Sequence, residues 1–202
     1  MLAIIEAAGW PIWLLIVASI IALAIIGERG WSLRGSLVAP RDMLAQVMQE
    51  YRQNGPNPQL LARLAAGPPL AQILGAGLRN VKSTPAVMKE SIDEAGHAVA
   101  HELERFLTSL GTIATISPLL GLFGTVIGMI EIFGSQAPSG SNPIVLAHGI
   151  SIALYNTAAG LIVAIPSMIF YRHYRAKVDS LVVEMEREAI KLVEIVHGER
   201  QS

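Results

Sequence analysis

The chain has 202 residues, 52 % of them apolar and 15 % charged, with a formal net charge of −1 and a mean hydropathy of +0.48. A soluble domain carries about 25 % charged residues, so the shortage of charge places this chain among membrane proteins. It excludes intrinsic disorder, and near-neutrality gives no attraction toward nucleic acid. There is no cysteine, which removes disulfides, thiolate catalysis and cysteine-ligated zinc or iron–sulfur centres together.

Three stretches lack Asp, Glu, Lys and Arg and are long enough to cross a bilayer, which takes about 20 largely apolar residues. The first, 7–27, lies between Glu6 and Glu28, and the second, 106–130, between Arg105 and Glu131. The third uncharged stretch runs from Ile132 to Tyr171. It opens with the turn formers Gly134, Pro138, Gly140, Asn142 and Pro143, so its helix is expected over 144–171. A cleavable signal peptide is the alternative for 7–27. The start carries Glu6 and no Lys or Arg, and the apolar run is long, so a retained anchor is expected. The expected fold is an all-α membrane protein with three transmembrane helices and long cytoplasmic extensions of the second and third.

Lys and Arg give the orientation. Nine of the 15 lie from Arg29 to Arg105, six follow from Arg172 to Arg200, and none falls in 1–6 or 131–143. These residues favour the cytoplasmic side, so 28–105 and 172–202 are expected in the cytoplasm, with the tail 1–6 and the loop 131–143 outside. Trp10, Trp13, Trp31, Tyr171 and Tyr174 suit interfacial belts.

Within the cytoplasmic part, breakers predict helices over 41–51, 59–66 and 70–81, separated by Asn54-Gly55-Pro56-Asn57-Pro58 and Gly67-Pro68-Pro69. Pro85 suits a helix start, with Glu90 and Glu94 in its early turns. Ile92, Ala95, Val99, Leu103, Phe106 and Leu110 keep helical spacing, so this helix is expected to run unbroken into the second span. Beyond the third span, Val178, Leu181, Val182, Met185, Ala189, Leu192, Val193 and Val196 form an apolar stripe opposite Asp179, Glu184, Glu186, Arg187, Glu188 and Lys191. A rod continuous with the third span covers about 80 Å at 1.5 Å per residue. Its stripe needs neighbours, either other cytoplasmic helices or copies of itself. An acid-rich polar face disfavours lying on the membrane surface.

Nothing reads as a catalytic centre. His97 and His101 sit four apart on a helix but lack a third ligand, and solvated histidines are expected there rather than a metal site. Ser117 and Ser151 have no His or Asp arranged to activate them, and no phosphate-cradling glycine loop is present. No enzyme activity, cofactor or metal is expected.

The chemistry lies in the second and third spans. Gly121, Gly124 and Gly128 step by three and four, and Ala153, Thr157, Gly160 and Ala164 form a second stripe of small residues. Such stripes let helix backbones approach closely in lipid. The first span, rich in Leu, Ile, Val and Ala, reads as the lipid-facing partner. Thr108, Thr112 and Thr115 recur at helical spacing, Thr125 lies deeper, and the third span adds Ser151, Tyr155, Asn156, Thr157 and Ser167. Threonines in a span often bond only their own i−4 carbonyl. Asn156 and Thr157, adjacent near mid-membrane, need polar partners or water there. No ionisable Asp, Glu, Lys or Arg stands inside any span, so this chain alone cannot supply a complete titrating relay. Either it conducts nothing or a partner brings the ionisable group.

The run Pro118-Leu119-Leu120-Gly121-Leu122-Phe123-Gly124-Thr125-Val126-Ile127-Gly128-Met129 resembles the second-span signature of the MotA/TolQ/ExbB proton channel family. The run from Ala153 through Tyr155-Asn156-Thr157-Ala158-Ala159-Gly160 to Pro166 resembles its third-span signature. The length and three spans are most similar to the ExbB branch, since a MotA-type chain would add a fourth span. The resemblance implies a subunit of a bacterial inner-membrane motor: a homo-oligomer, a pentameric ring, with the second and third spans lining a pore. The pore holds an ExbD-like single-span protein whose membrane Asp takes the proton. A TonB-like protein carries the work toward transport at the outer membrane.

Residue by residue, the resemblance implies that Thr125 and Thr157 face the partner's Asp; the polar residues of the two spans add Asn156, Ser151 and Thr115 to the expected pore-lining path. It implies that Pro118 and Pro166 bend their helices. One departure stands out: many ExbB and TolQ chains carry Glu where Ile152 stands, which weakens a TolQ assignment. The competing expectation is a purely structural scaffold in which Gly121, Gly124, Gly128 and Gly160 only pack helices. That reading tolerates loss of the hydroxyls but not of the glycines. Proton is favoured over Na⁺ because hydroxyls suit a carboxylate relay and no cluster of carbonyl and side-chain ligands stands out.

Overall fold

The structure, a computed structural model, describes residues 9–134 and 143–198. The tail 1–6, the turn residues Pro138, Gly140 and Asn142, and Arg200 lie outside the described residues. Every element among the described residues is a helix: α1 Pro11–Ser32, α2 Gly35–Val38, α3 Met43–Asn54, α4 Pro58–Ala65, α5 Pro69–Arg79, α6 Pro85–Leu103, α7 Leu107–Gly134 and α8 Pro143–Val196. Three of them, α1, α7 and α8, are long and apolar enough to cross a membrane.

The chain divides into two compact units. One comprises Met1–Glu28 and Phe106–His173, the other Arg29–Arg105 and Tyr174–Ser202. The second unit is built as a soluble helical bundle is. Prolines at the starts of α4, α5 and α6 carry no N–H to leave unsatisfied. The Asn57 side chain accepts from the Leu60 N–H at 2.7 Å and Thr84 accepts from the Val87 N–H at 3.5 Å, each closing a helix N-terminus. Gly55, at φ 65, ends α3 in a backbone conformation that side chains resist.

The centre of this unit is α5, where Leu70, Ala71, Ile73, Leu74 and Leu78 are buried. It packs against α3, α4 and α6. Gly75 and Gly77 let it come close: a Cβ at Gly75 would meet Leu64 at 3.0 Å, and one at Gly77 would meet Ile92 at 3.0 Å and Leu192 at 3.2 Å. Leu192 belongs to the apolar stripe of α8. Val178, Leu181, Met185, Ala189, Leu192 and Val193 are all buried within the unit, while Asp179, Glu184, Glu186 and Arg187 stay exposed. The stripe therefore finds its neighbours among this chain's own helices. Arg29, 7 % exposed, donates from Nη1 to the Leu103 carbonyl at 3.2 Å, and Arg175 pairs with Glu104 at 3.1 Å.

The helix from Pro85 does not run unbroken into the second span. It ends at Leu103, residues 104–106 turn, and α7 starts at Leu107. Phe106 adopts φ 64, a left-handed conformation costing a side-chain-bearing residue about 1–2 kcal/mol. The apolar spacing from Ile92 to Leu110 reports which face is greasy, and it passes through a backbone turn without registering it. By contrast α8 is one helix of 54 residues, about 80 Å long at 1.5 Å per residue. Residues to His173 belong to the first unit and the rest to the second.

Candidate functional site

Along the crossing of α7 with the first part of α8, large side chains point away and small ones meet, while Leu107 and Leu110 are buried at the start of α7. Leu119, Leu122, Val126 and Ile130 of α7 and Leu154, Ile162, Ile165 and Ile169 of α8 are exposed. On α1 the same holds for Trp13, Val17, Ile20 and Leu23, while Ile12, Leu15 and Ala22 are buried. Trp10 meets Phe123 edge to face, with ring centroids 5.9 Å apart.

The crossing of α7 and α8 is made by backbone. A Cβ at Gly121 would lie 2.6 Å from the Asn156 carbonyl oxygen and 3.2 Å from the Gly160 Cα. A Cβ at Gly160 would lie 2.6 Å from the Ser117 carbonyl oxygen. Only hydrogen fits at either place. One turn along, Gly124 makes room for Asn156, whose Cβ and Cγ would stand 2.8 Å from an added Cβ, and Gly128 faces Ala153 at 3.1 Å.

This approach brings two hydroxyls together. Thr125 Oγ1 lies 2.5 Å from Thr157 Oγ1, 3.1 Å from the Gly121 carbonyl oxygen and 3.2 Å from that of Ala153. Thr157 Oγ1 is 3.4 Å from the same Gly121 oxygen. Two O–H donors thus face each other and two carbonyl acceptors. Each hydroxyl can give its proton to its neighbour or to backbone, so the pair can reverse direction without leaving a donor unsatisfied. Both are half-buried.

The other residues singled out from the sequence fall elsewhere. Asn156 is 1 % exposed and packs on Gly124 in the helix crossing. Thr115 is exposed, and its hydroxyl donates to its own helix, at Gly111 or Thr112. It lies ten residues from Thr125, about 15 Å along the helix. Ser151 is likewise exposed and donates to Ala147 at 2.9 Å. Pro118 and Pro166 stand inside α7 and α8, and each removes one backbone donor from its helix.

Beside each proline is a serine: Ser117, set aside in the sequence as lacking a catalytic partner, and Ser167, counted there among the polar residues of the third span. Ser117 and Ser167 are each 1 % exposed, and each donates at 2.7 Å to the carbonyl four residues earlier, Ile113 and Val163. The signal was the residue type in a span: a buried hydroxyl there must find a partner, and its own i−4 carbonyl is the nearest one.

Closely crossed glycine helices carrying a paired hydroxyl core, in a helical protein with three membrane-length segments, define a polytopic membrane protein with polar groups inside its helix crossing. The chain belongs to the MotA/TolQ/ExbB proton channel family, whose pattern matches residues 65–187. The match takes in most of α5 to α8, the glycine crossing and the hydroxyl pair included. ExbB-like 3 of Synechocystis sp. is 32 % identical over 78 % of this chain and 77 % of its own length. The biopolymer transport protein exbB1 of Vibrio cholerae is 32 % identical over 79 % of this chain and 72 % of its own. The Tol-Pal system protein TolQ of Pseudomonas aeruginosa is 29 % identical over 91 % and 84 %. The family and these names place the chain with ExbB/TolQ-type proton-channel subunits, a transport class and not an enzyme class.

Proposed function

We propose that the chain is the ring-forming subunit of an ExbB-type motor in a bacterial inner membrane, its N-terminus periplasmic and its C-terminus cytoplasmic. Copies of it, five in the ring, surround an ExbD-like single-span protein, and proton passage is coupled through a TonB-like protein to transport at the outer membrane. The observation that carries this reading is the Thr125–Thr157 hydroxyl pair, 2.5 Å apart, in spans whose sequence holds no Asp, Glu, Lys or Arg inside. Hydroxyls alone do not hold a transferable charge at neutral pH. A carboxylic acid brought against them would find both a donor and an acceptor, so either of its protonation states could be accommodated. Thr115 and Ser151, exposed on the two helices, are proposed to line the approach, and Asn156 to hold the crossing rigid behind the threonines. The one-sided placement of Lys and Arg supports the orientation.

A second reading, a Tol-type motor subunit, is favoured by the TolQ relative, which aligns with 91 % of this chain. The test of the common core is purification in mild detergent with and without the single-span partner, read by native mass spectrometry. A ring that captures fewer copies of the partner than of itself supports the motor, and a monomer or a ring that ignores the partner overturns it. Deletion of the gene then separates the branches: loss of energised uptake at the outer membrane supports the ExbB reading, and retained uptake supports the Tol reading.

A further inference from the structure

A cavity of about 260 Å³ opens among the ends of α1, α7 and α8 in the membrane unit. Its lining includes Pro11 of α1, Gly128 and Glu131 of α7, and Gly149, Ile152 and Asn156 of α8. Two of its lining glycines mark tight contacts at its edge: a Cβ at Gly128 would meet Ala153 at 3.1 Å, and one at Gly149 would meet the Ile132 side chain at 2.8 Å. The volume takes several water molecules at about 30 Å³ each. Its polarity is graded along its depth: Glu131 is exposed, whereas Asn156 is 1 % exposed and lies one residue from Thr157. Among the described lining residues Glu131 is the only ionisable one. A carboxylate in a cleft with apolar walls attracts cations and repels anions.

We propose that this cavity is a water-filled vestibule within a single subunit. It admits small hydrated monovalent cations, hydronium included, from the aqueous side on which α7 ends, past Glu131 and as deep as Asn156. Glu131 acts as the selectivity-determining group at its mouth. Asn156, whose amide can both donate and accept, forms its polar floor. Three helices of one chain supply the walls, so each copy in an assembly would carry its own.

The absence of native cysteine makes the test direct. Single cysteines are placed at Ile152, on the cavity wall, at Gly134, which marks the aqueous side where α7 ends, and at Ile20, an exposed residue of α1. The full-length protein in sealed membrane vesicles of either orientation is treated with membrane-impermeant methanethiosulfonates bearing a trimethylammonium or a sulfonate group. These reagents attack thiolate, which forms only where water reaches the sulfur. The expected result is that Ile152→Cys reacts from the same side as Gly134→Cys, and about tenfold or more faster than Ile20→Cys. The cationic reagent should outpace the anionic one by a similar factor. Adding Glu131→Gln should collapse that preference while leaving the sulfonate rate unchanged or raised.

No reaction at Ile152→Cys means a dry or lipid-filled space and overturns the proposal. Reaction without charge preference, or a preference untouched by Glu131→Gln, overturns the role of Glu131. If Ile152→Cys does not accumulate, Ile127→Cys, on the α7 wall of the same cavity, gives the same reading. The assay reads wetting and charge, not transport, so its failure is distinct from failure of the motor reading.

Discussion

The two units of this chain solve helix packing in opposite ways. In the unit holding α3 to α6, bulk turns inward: Leu60, Leu70, Leu74, Met88, Met185 and Leu192 are all at most 1 % exposed, and polar residues face out. In the unit holding α7 and the first part of α8, Leu107 and Leu110 are buried at the start of α7, but along the helix crossing bulk turns outward, and the helices meet through Gly121 and Gly160 with backbone against backbone. The difference follows from the solvent. Water drives large apolar groups together, but lipid is as apolar as leucine, so contact there depends on close van der Waals fit and on hydrogen bonds between helices. Freed from the need to hide bulk, the glycine crossing can carry hydroxyls in its interior.

Substitutions sharpen this contrast in graded order. The largest effect is expected from Leu192→Ala, which empties a fully buried position between α8 and α5 and should cost about 2–5 kcal/mol in urea or thermal unfolding of the purified protein. Gly121→Ala, the addition of a single methyl group, should cost about 1–3 kcal/mol because the new Cβ meets backbone that cannot swing away. The same exchange at exposed Gly27, where nothing lies within 4 Å of a Cβ, should be neutral or stabilising. A cycle of Thr125→Val and Thr157→Val should show a stability coupling of about 0.6–1.7 kcal/mol, the range for interhelical hydrogen bonds in membranes. The last effect is a small gain. Phe106→Gly should stabilise by about 1 kcal/mol or less, since glycine adopts φ 64 without the side-chain penalty, offset by the lost ring. Equal costs for Leu192→Ala and a leucine-to-alanine change at exposed Leu122 would break the contrast.

What could be read from the residues mirrors the same division. The helices of the soluble-like unit were legible from breakers and periodicity: Pro85 starts its helix as expected, and the helices expected from 59 and 70 begin one residue earlier, on the prolines Pro58 and Pro69 read as breakers. The central place of α5 was not, because Gly75 and Gly77 carry no hydrophobic signal and matter only through the side chains that press on them. The turn at 104–106 was hidden for a related reason: apolar spacing reports faces, and φ at Phe106 is set by tertiary context. In the membrane unit the stripes of Gly121 and Gly160 were visible as spacing. That Thr125 and Thr157 touch each other depends on the register between two helices far apart in sequence, which local pattern does not carry. The cavity beside Glu131 needs three helices at once and had no local signature.

The measurement that bears most directly on the account is proton flux. Proteoliposomes holding the ring and its single-span partner, loaded with a pH-sensitive dye, are given a pH step, and the unmodified protein is compared with the Thr125→Val, Thr157→Val pair. The account predicts that flux falls about tenfold or more, equivalent to about 1.4 kcal/mol on the rate-limiting barrier, while native mass spectrometry shows the same ring and the same captured partner. Undiminished flux through a correctly assembled double variant would contradict it and leave the two threonines as packing residues only.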